Sequence, residues 1–155
     1  MPSSSPYKVI IDCDPGVDDI LALLLALTSH SFSSILAYIP QFGNTDAQDA
    51  YDNILKMYGV LDAHFKRFPE DRARFPAFVD TSVDKDQRRR PLLVRGAEAP
   101  LSGKIHTAKY FHGADGEAIF SISNSIHRQA AHVLLPSSLS RVIPGVTMCC
   151  LVLAL

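Results

Sequence analysis

Four aspartates fall within eight residues of the stretch Val9-Ile10-Ile11-Asp12-Cys13-Asp14-Pro15-Gly16-Val17-Asp18-Asp19. They stand between two apolar runs, at the mouth of a core rather than on a solvated face. Unpaired carboxylates a few ångströms apart repel one another, and burial pushes at least one pKa upward. A hard divalent cation removes that cost. Calcium takes about six to eight oxygen ligands, bidentate aspartate among them, and tolerates irregular geometry. No Cys/His pair at zinc spacing lies nearby, so oxygen ligation is the expectation. A loop that only caps its helix needs one aspartate, not four. Asp14 and Asp19 lie on either side of the Pro15-Gly16 turn and are the pair expected to converge on one point.

The elements that would position these residues are legible nearby. Tyr7 to Cys13 reads as a strand, and its consecutive β-branched residues suit one covered on both faces, as in a parallel sheet. Asp18 to about Leu27 reads as a helix, apolar nearly all round and therefore buried, with an acidic first turn that suits the helix dipole. Ile35 to Ile39 is a second strand closed by Pro40. Gly43-Asn44 makes a turn, and Thr45 or Asp46 can cap a second helix. That helix carries the stripe Ala47, Ala50, Ile54, Leu55 and Tyr58 and is expected to stop before Gly59. Strand–helix–strand–helix order points to an α/β fold with right-handed crossovers. Leu61 to Arg90 is charged and aperiodic, and reads as a solvated insertion rather than a basic patch. Pro91 to Val94 is a third strand candidate, and the stretches around Gly96 and Gly113 read as loops.

Composition narrows the class. With 47% hydrophobic and 20% charged residues, the 155-residue chain is an ordinary globular sequence long enough to bury a core. A formal net charge of −1 gives no bulk electrostatic case for nucleic acid or an anionic membrane. The three cysteines, two of them adjacent, do not make a disulfide framework, so a reducing, cytoplasmic setting is expected. Residues 1–6 are Ser/Pro-rich and read as disordered, with no apolar leader run. The apolar end, broken by Pro144 and Gly145, is too short to span a bilayer. Cys13 reads as a small buried apolar residue, not a nucleophile, and no Gly-x-Ser-x-Gly elbow is present. His30 and His64 read as surface positions, Asp115 as a turn residue, and His106 and His127 fit no functional spacing.

The segment from Asp12 to Leu23, with its DCDPGVDDILAL text, strongly resembles the amino-terminal signature of the inosine–uridine-preferring nucleoside hydrolases, calcium-dependent N-ribohydrolases. Two further matches follow in order. Phe42-Gly43-Asn44 falls at the family's second-strand Gly-Asn, and residues 96–116 resemble its loop from a Pro-Leu segment to a His-Gly-x-x-Gly turn. The resemblance covers about residues 7–60 and 92–116. It implies an α/β fold: an incomplete Rossmann-like parallel sheet flanked by helices, the N-terminal half of the nucleoside hydrolase fold. It implies Ca2+ held by Asp14 and Asp19, with Asp14 also accepting a proton from the attacking water. It implies that Asp18 and Asn44 hold the ribose hydroxyls, that Asp12 supports the cluster from behind, and that His112 stands at the pocket mouth. The substrate would be a purine or pyrimidine ribonucleoside, cleaved to base and ribose. Relatives are commonly homo-oligomers, and that expectation extends to the full-length form.

Beyond Gly116 the family's later ligands, a backbone carbonyl and a further Asp, have no counterpart by eye, nor has its His toward the leaving base. Residues 117–155 are therefore expected to be a divergent tail, of the kind a frameshift or mis-splicing leaves, on a truncated chain. Two other readings stand beside this one. A haloacid-dehalogenase-type phosphatase also places Asp-x-Asp after a first strand, but it wants Thr or Val where Gly16 stands and makes no use of the Asp18-Asp19 pair. A non-catalytic truncated fragment would bind metal or ribose weakly.

Overall fold

The computed structural model describes residues 7–79, 90–113, 116, 135–136 and 150–152. The expectations for residues 1–6, Asp115, His127, Arg88, Arg89 and nearly all of the 117–155 tail lie outside the described residues. In chain order the elements are β1 (Tyr7–Cys13), α1 (Val17–Thr28), β2 (Phe32–Pro40), α2 (Ala47–Arg67), a 3-10 turn (Pro69–Arg74), β3 (Leu92–Leu93), α3 (Lys109–His112), β4 (Leu135–Pro136) and β5 (Cys150–Val152).

The strands form one sheet in the order β4-β3-β2-β1-β5, parallel at every pairing. From β1 through β4 the chain always steps to the same side, whereas β5 lies across β1. Right-handed crossovers in opposite directions run over opposite faces of a sheet. The strand order therefore reverses at β1, and open α/β sheets take their ligands outside the carboxyl ends of the strands at such a point.

Val9, Ile11 and Cys13 pair in register with Ile35, Tyr38 and Pro40, and the chain passes over Leu36 where the register shifts. This face is buried and joins Leu23 and Leu27 of α1 and Ile54 and Tyr58 of α2 in one core. Each such aliphatic side chain contributes about 1.5–3 kcal/mol on burial. The expected double-sided burial of β1 is not met among the described residues: Ile10 and Asp12, on the opposite face, are half-buried. The reason is topological. Crossovers that step the same way place α1 and α2 on the same side of the sheet.

α1 matches its expected span but is not buried all round. Leu23, Ala26 and Leu27 face the core, whereas Leu21 and Leu25 are 59% and 71% exposed. An open apolar groove between α1 and α2 is lined by Leu21, Leu24, Val60 and Phe75 among others. α2 also departs from expectation. It begins as foreseen, with Asp46 Oδ1 accepting from the Asp49 amide at 2.9 Å. It then runs straight through Gly59 to Arg67. A mid-helix glycine costs about 1 kcal/mol. Burial of Leu61 and Phe65 beyond it outweighs that cost. His64, Lys66 and Arg67 favour the carboxyl end, and Pro69 stops it. The charged text from Leu61 onward thus hides a helical face, and Ala77 and Phe78 return to the core after it. In the stretch around Gly113, expected as loop throughout, Lys109 to His112 form one short helical turn.

Candidate active site

The β1–α1 connection is only Asp14-Pro15-Gly16, so it holds the carboxyl end of the strand close to the first turn of the helix. Asp14 follows the strand and Asp19 sits in the first turn of α1. Both reach the same residue on the neighbouring β2–α2 connection. The Asn44 backbone amide donates to Asp14 Oδ2 at 2.9 Å, and Asn44 Nδ2 donates to Asp19 Oδ2 at 2.8 Å. Asp14 and Asp19 therefore converge, with Asn44 between them. Asp19 Oδ2 also makes a long 3.5 Å contact with the Gly16 amide, half of a capping box that glycine has no side chain to complete.

Asp18 faces His112, whose Nδ1 is 3.8 Å from its Oδ1. His112 is 8% exposed and is fixed at the end of α3, where its amide donates to Ala108 and Gly113 turns the chain at φ 87°. Asp12 lies apart: among the described residues no hydrogen bond links it to the other three, and its Oδ1 is buried without a hydrogen-bond partner. The structure thus brings Asp14, Asp18, Asp19, Asn44 and His112 around one turn and leaves Asp12 behind it.

Two glycines make this closeness sterically possible. A Cβ on Gly16 would stand 2.6 Å from His112 Nδ1 and 2.8 Å from Asn44 Nδ2. A Cβ on Gly43 would overlap the Asp14 carboxylate. The motif text contained both glycines, but their role as clearance for carboxylate and amide groups needs the three-dimensional packing.

The electrostatics are those of charge held against its own interest. Asp19 is 4% exposed, and desolvation, followed by the repulsion of Asp14 and Asp18, pushes its pKa up to about 6. Desolvation also raises Asp14, offset in part by the Asn44 amide bond, and it raises Asp12. Burial first, then the surrounding aspartates, drives the Cys13 thiol far above its usual range, which makes it inert as a nucleophile. Asp18 Oδ1 and Asp19 Oδ1 are buried without a hydrogen-bond partner. Unsatisfied hard oxygens of this kind suit a hard cation. Asp14 and Asp19 would offer such a cation two carboxylates. Among the described residues no group of three or more His, Cys, Asp or Glu encloses an ion, so these side chains fit part of a coordination sphere.

Two further residues support the turn: Asn53, which escaped the sequence reading, and Thr45, which was read there only as a candidate helix cap. Asn53 is fully buried on α2, and its Nδ2 donates to the Pro15 carbonyl at 3.0 Å. Thr45, also fully buried, donates to Asp49 Oδ2 at 3.2 Å. A signal for Asn53 was available: it stands three residues after Ala50 and four before Met57, on the apolar face of α2.

Comparison with known proteins gives the family. Residues 9–150 match the family described as inosine-uridine preferring nucleoside hydrolase. The chain belongs to that family. It is 33% identical to uridine nucleosidase 1 of Arabidopsis thaliana over 110 residues, which cover 70% of this chain and 25% of that protein. It is 29% identical to the probable uridine nucleosidase 2 of rice, Oryza sativa subsp. japonica, over 133 residues, covering 83% and 32% respectively. Among solved structures, an inosine-guanosine nucleoside hydrolase superposes with a TM-score of 0.50 at 26% identity, over 77% of this chain and 29% of that one. The chain thus spans about a quarter to a third of the length of these relatives.

Proposed function

We propose that this chain carries the metal-gripping and ribose-binding part of a calcium-dependent N-ribohydrolase, which cleaves ribonucleosides to free base and ribose. One observation carries the reading: Asp14 and Asp19 converge on Asn44 at the carboxyl end of the strand where the sheet order reverses. Asp14 and Asp19 would hold the cation, with Asp14 as general base toward the attacking water. Asp18 and Asn44 would take the ribose hydroxyls, and His112 would close the pocket on the base or ribose side. Asp12 would support the cluster from behind. When bound, calcium would acidify and orient a water on one face of the sugar.

The residue types suit the reaction. The bond to the base breaks through an oxocarbenium-like transition state, as in other glycoside cleavage. Preorganised carboxylates stabilise positive charge developing on the ribose. Asp14 is accessible enough to exchange a proton, whereas buried Asp19 is suited to holding charge in place. Bonds from Asp18 and Asn44 to the hydroxyls would orient the ring and favour ribose over other sugars. A cytoplasmic setting and assembly with further copies of the same chain belong to this reading. Among the described residues no helix is long and apolar enough to cross a membrane.

The test is release of reducing sugar from uridine and inosine by the 155-residue chain, with calcium and with a chelator. Calcium-dependent release is expected, and Asp14→Asn should lower it by about 10²–10⁴-fold, the range for a positioned general base. Phosphate release from an aryl phosphate in place of sugar release would overturn the reading in favour of a phosphatase. Calcium binding without turnover would reduce the chain to a binding fragment.

A further inference from the structure

A buried asparagine in the middle of a helix needs a reason. Asparagine is a poor helix former, and a buried amide without partners costs more than an apolar replacement. On α2, Asn53 is 0% exposed, between Ala50 and Met57 on the core-facing side. Its orientation is set by its partners. Lys56 Nζ can only donate and lies 2.9 Å from Asn53 Oδ1, while the Pro15 carbonyl can only accept and lies 3.0 Å from Nδ2. The amide therefore points its donor end at the β1–α1 turn.

Pro15 stands between Asp14 and the helix cap. α1 takes up its first carbonyl at Gly16, which accepts from the Ile20 amide at 3.0 Å. The bond from Asn53 ties the preceding carbonyl to α2, the helix whose leading loop carries Asn44. A third segment packs at the same place: a Cβ on Gly116, at φ 83°, would lie 3.2 Å from Asn53 Nδ2. The β1–α1 turn, α2 and the chain just after His112 thus meet at one side chain.

We propose that Asn53 is a positioning residue. By holding the Pro15 carbonyl it keeps the turn in the register where Asp14 and Asp19 both face Asn44. The inference rests on the functional reading above for its consequence in catalysis, but its structural claim stands apart from it. The substitution Asn53→Asp keeps the shape and the Lys56 partner while setting a carboxylate against the Pro15 carbonyl. Met57→Ala, one residue beyond Lys56 on the same helix, opens the core without touching the turn and serves as the control for lost stability.

Two readouts decide the matter. The first is the amide resonance of Asn44, which reports its bond to Asp14 in the metal-free protein. It should move in Asn53→Asp and stay in place in Met57→Ala. The second is calcium affinity by titration calorimetry, expected to fall about 10–100-fold in Asn53→Asp, the range for residues that orient metal ligands. In Met57→Ala it should stay within about twofold. Unchanged Asn44 resonance in Asn53→Asp, or equal effects of the two variants, would overturn the proposal. If the parent chain binds no calcium, the functional reading falls, and the Asn44 resonance still decides whether Asn53 positions the turn.

Discussion

The two longer described helices, α1 and α2, both carry aspartates at their amino ends and treat them in opposite ways. At the start of α2, Asp46 caps the helix, and Lys109 from α3 bonds both Asp46 Oδ2, at 2.8 Å, and Asp49 Oδ2, at 3.3 Å. The hydrogen bond from Lys109, then that from the Asp49 amide, lowers the Asp46 pKa. At the start of α1, Asp18 and Asp19 add to Asp14, and among the described residues the only ion-pair partner of these carboxylates is His112. There the Asp19 pKa rises to about 6. Both helix ends offer the same favourable dipole. The difference lies in burial and in the supply of cations from the chain. One terminus is a finished structural cap; the other is a cluster whose charge, among the described residues, meets only His112.

The comparison breaks most sharply at Gly43. A methyl group there collides with Asp14 and forces its carboxylate away from Asn44. A displacement of about 1 Å in a catalytic group can cost on the order of 10²-fold in rate. Under the proposed function, Gly43→Ala should therefore lower kcat/KM for uridine by about that factor while leaving the Asp46 cap intact. An unchanged kcat/KM would show that the position of Asp14 is not the sensitive element.

Next in size is Asp19→Asn. In the parent chain the folded-state pKa of about 6 lies above the ordinary carboxylate value near 3.8. The folded state then binds more protons than the unfolded one between these values, so stability falls as pH rises from about 4 to about 6. Relative to Asp19→Asn, which does not titrate, the parent should lose on the order of 2 kcal/mol across that window. Denaturant unfolding at several pH values reads the difference. Calcium should restore the loss in the parent and leave Asp19→Asn unaffected. Parallel pH profiles for the two proteins would show that Asp19 carries no stored charge penalty.

Much of this contrast was legible in the sequence. β1 was read to its observed bounds, and the crowding of Asp12, Asp14, Asp18 and Asp19 was visible as an electrostatic cost. Local spacing suffices for both, because strand and turn are contiguous. Asn44, Gly43 and His112 were reached by motif and placed by packing, since convergence across β1 and β2 depends on the sheet register. The extent of α2 was missed because a glycine was read as a stop, when burial of Leu61 and Phe65 decided the matter. Asn53 was missed because a polar residue on an apolar stripe reads as noise until its carbonyl partner is known. After Gly116 no motif could be followed by eye, although the family match continues to residue 150.

The smaller effects belong to the α2 end. Asp46→Ala removes the cap on the Asp49 amide and should cost about 1 kcal/mol of stability, with kcat/KM changed less than twofold. Lys109→Met should cost less still. Lys109 and Asp46 are 37% and 53% exposed, and exposed ion pairs contribute about 0.2–1 kcal/mol. Most of that should vanish in 1 M salt, where screening reaches within about 3 Å. Lys109 also begins the short helix that ends at His112, so its removal tests whether the two helix ends are coupled. Independent ends predict that Lys109→Met leaves the pH profile of the Asp19 window where it was. A shift of that window would mean that the cation at α2 reaches the carboxylates at α1 through His112, and that the finished cap and the open cluster form one electrostatic unit.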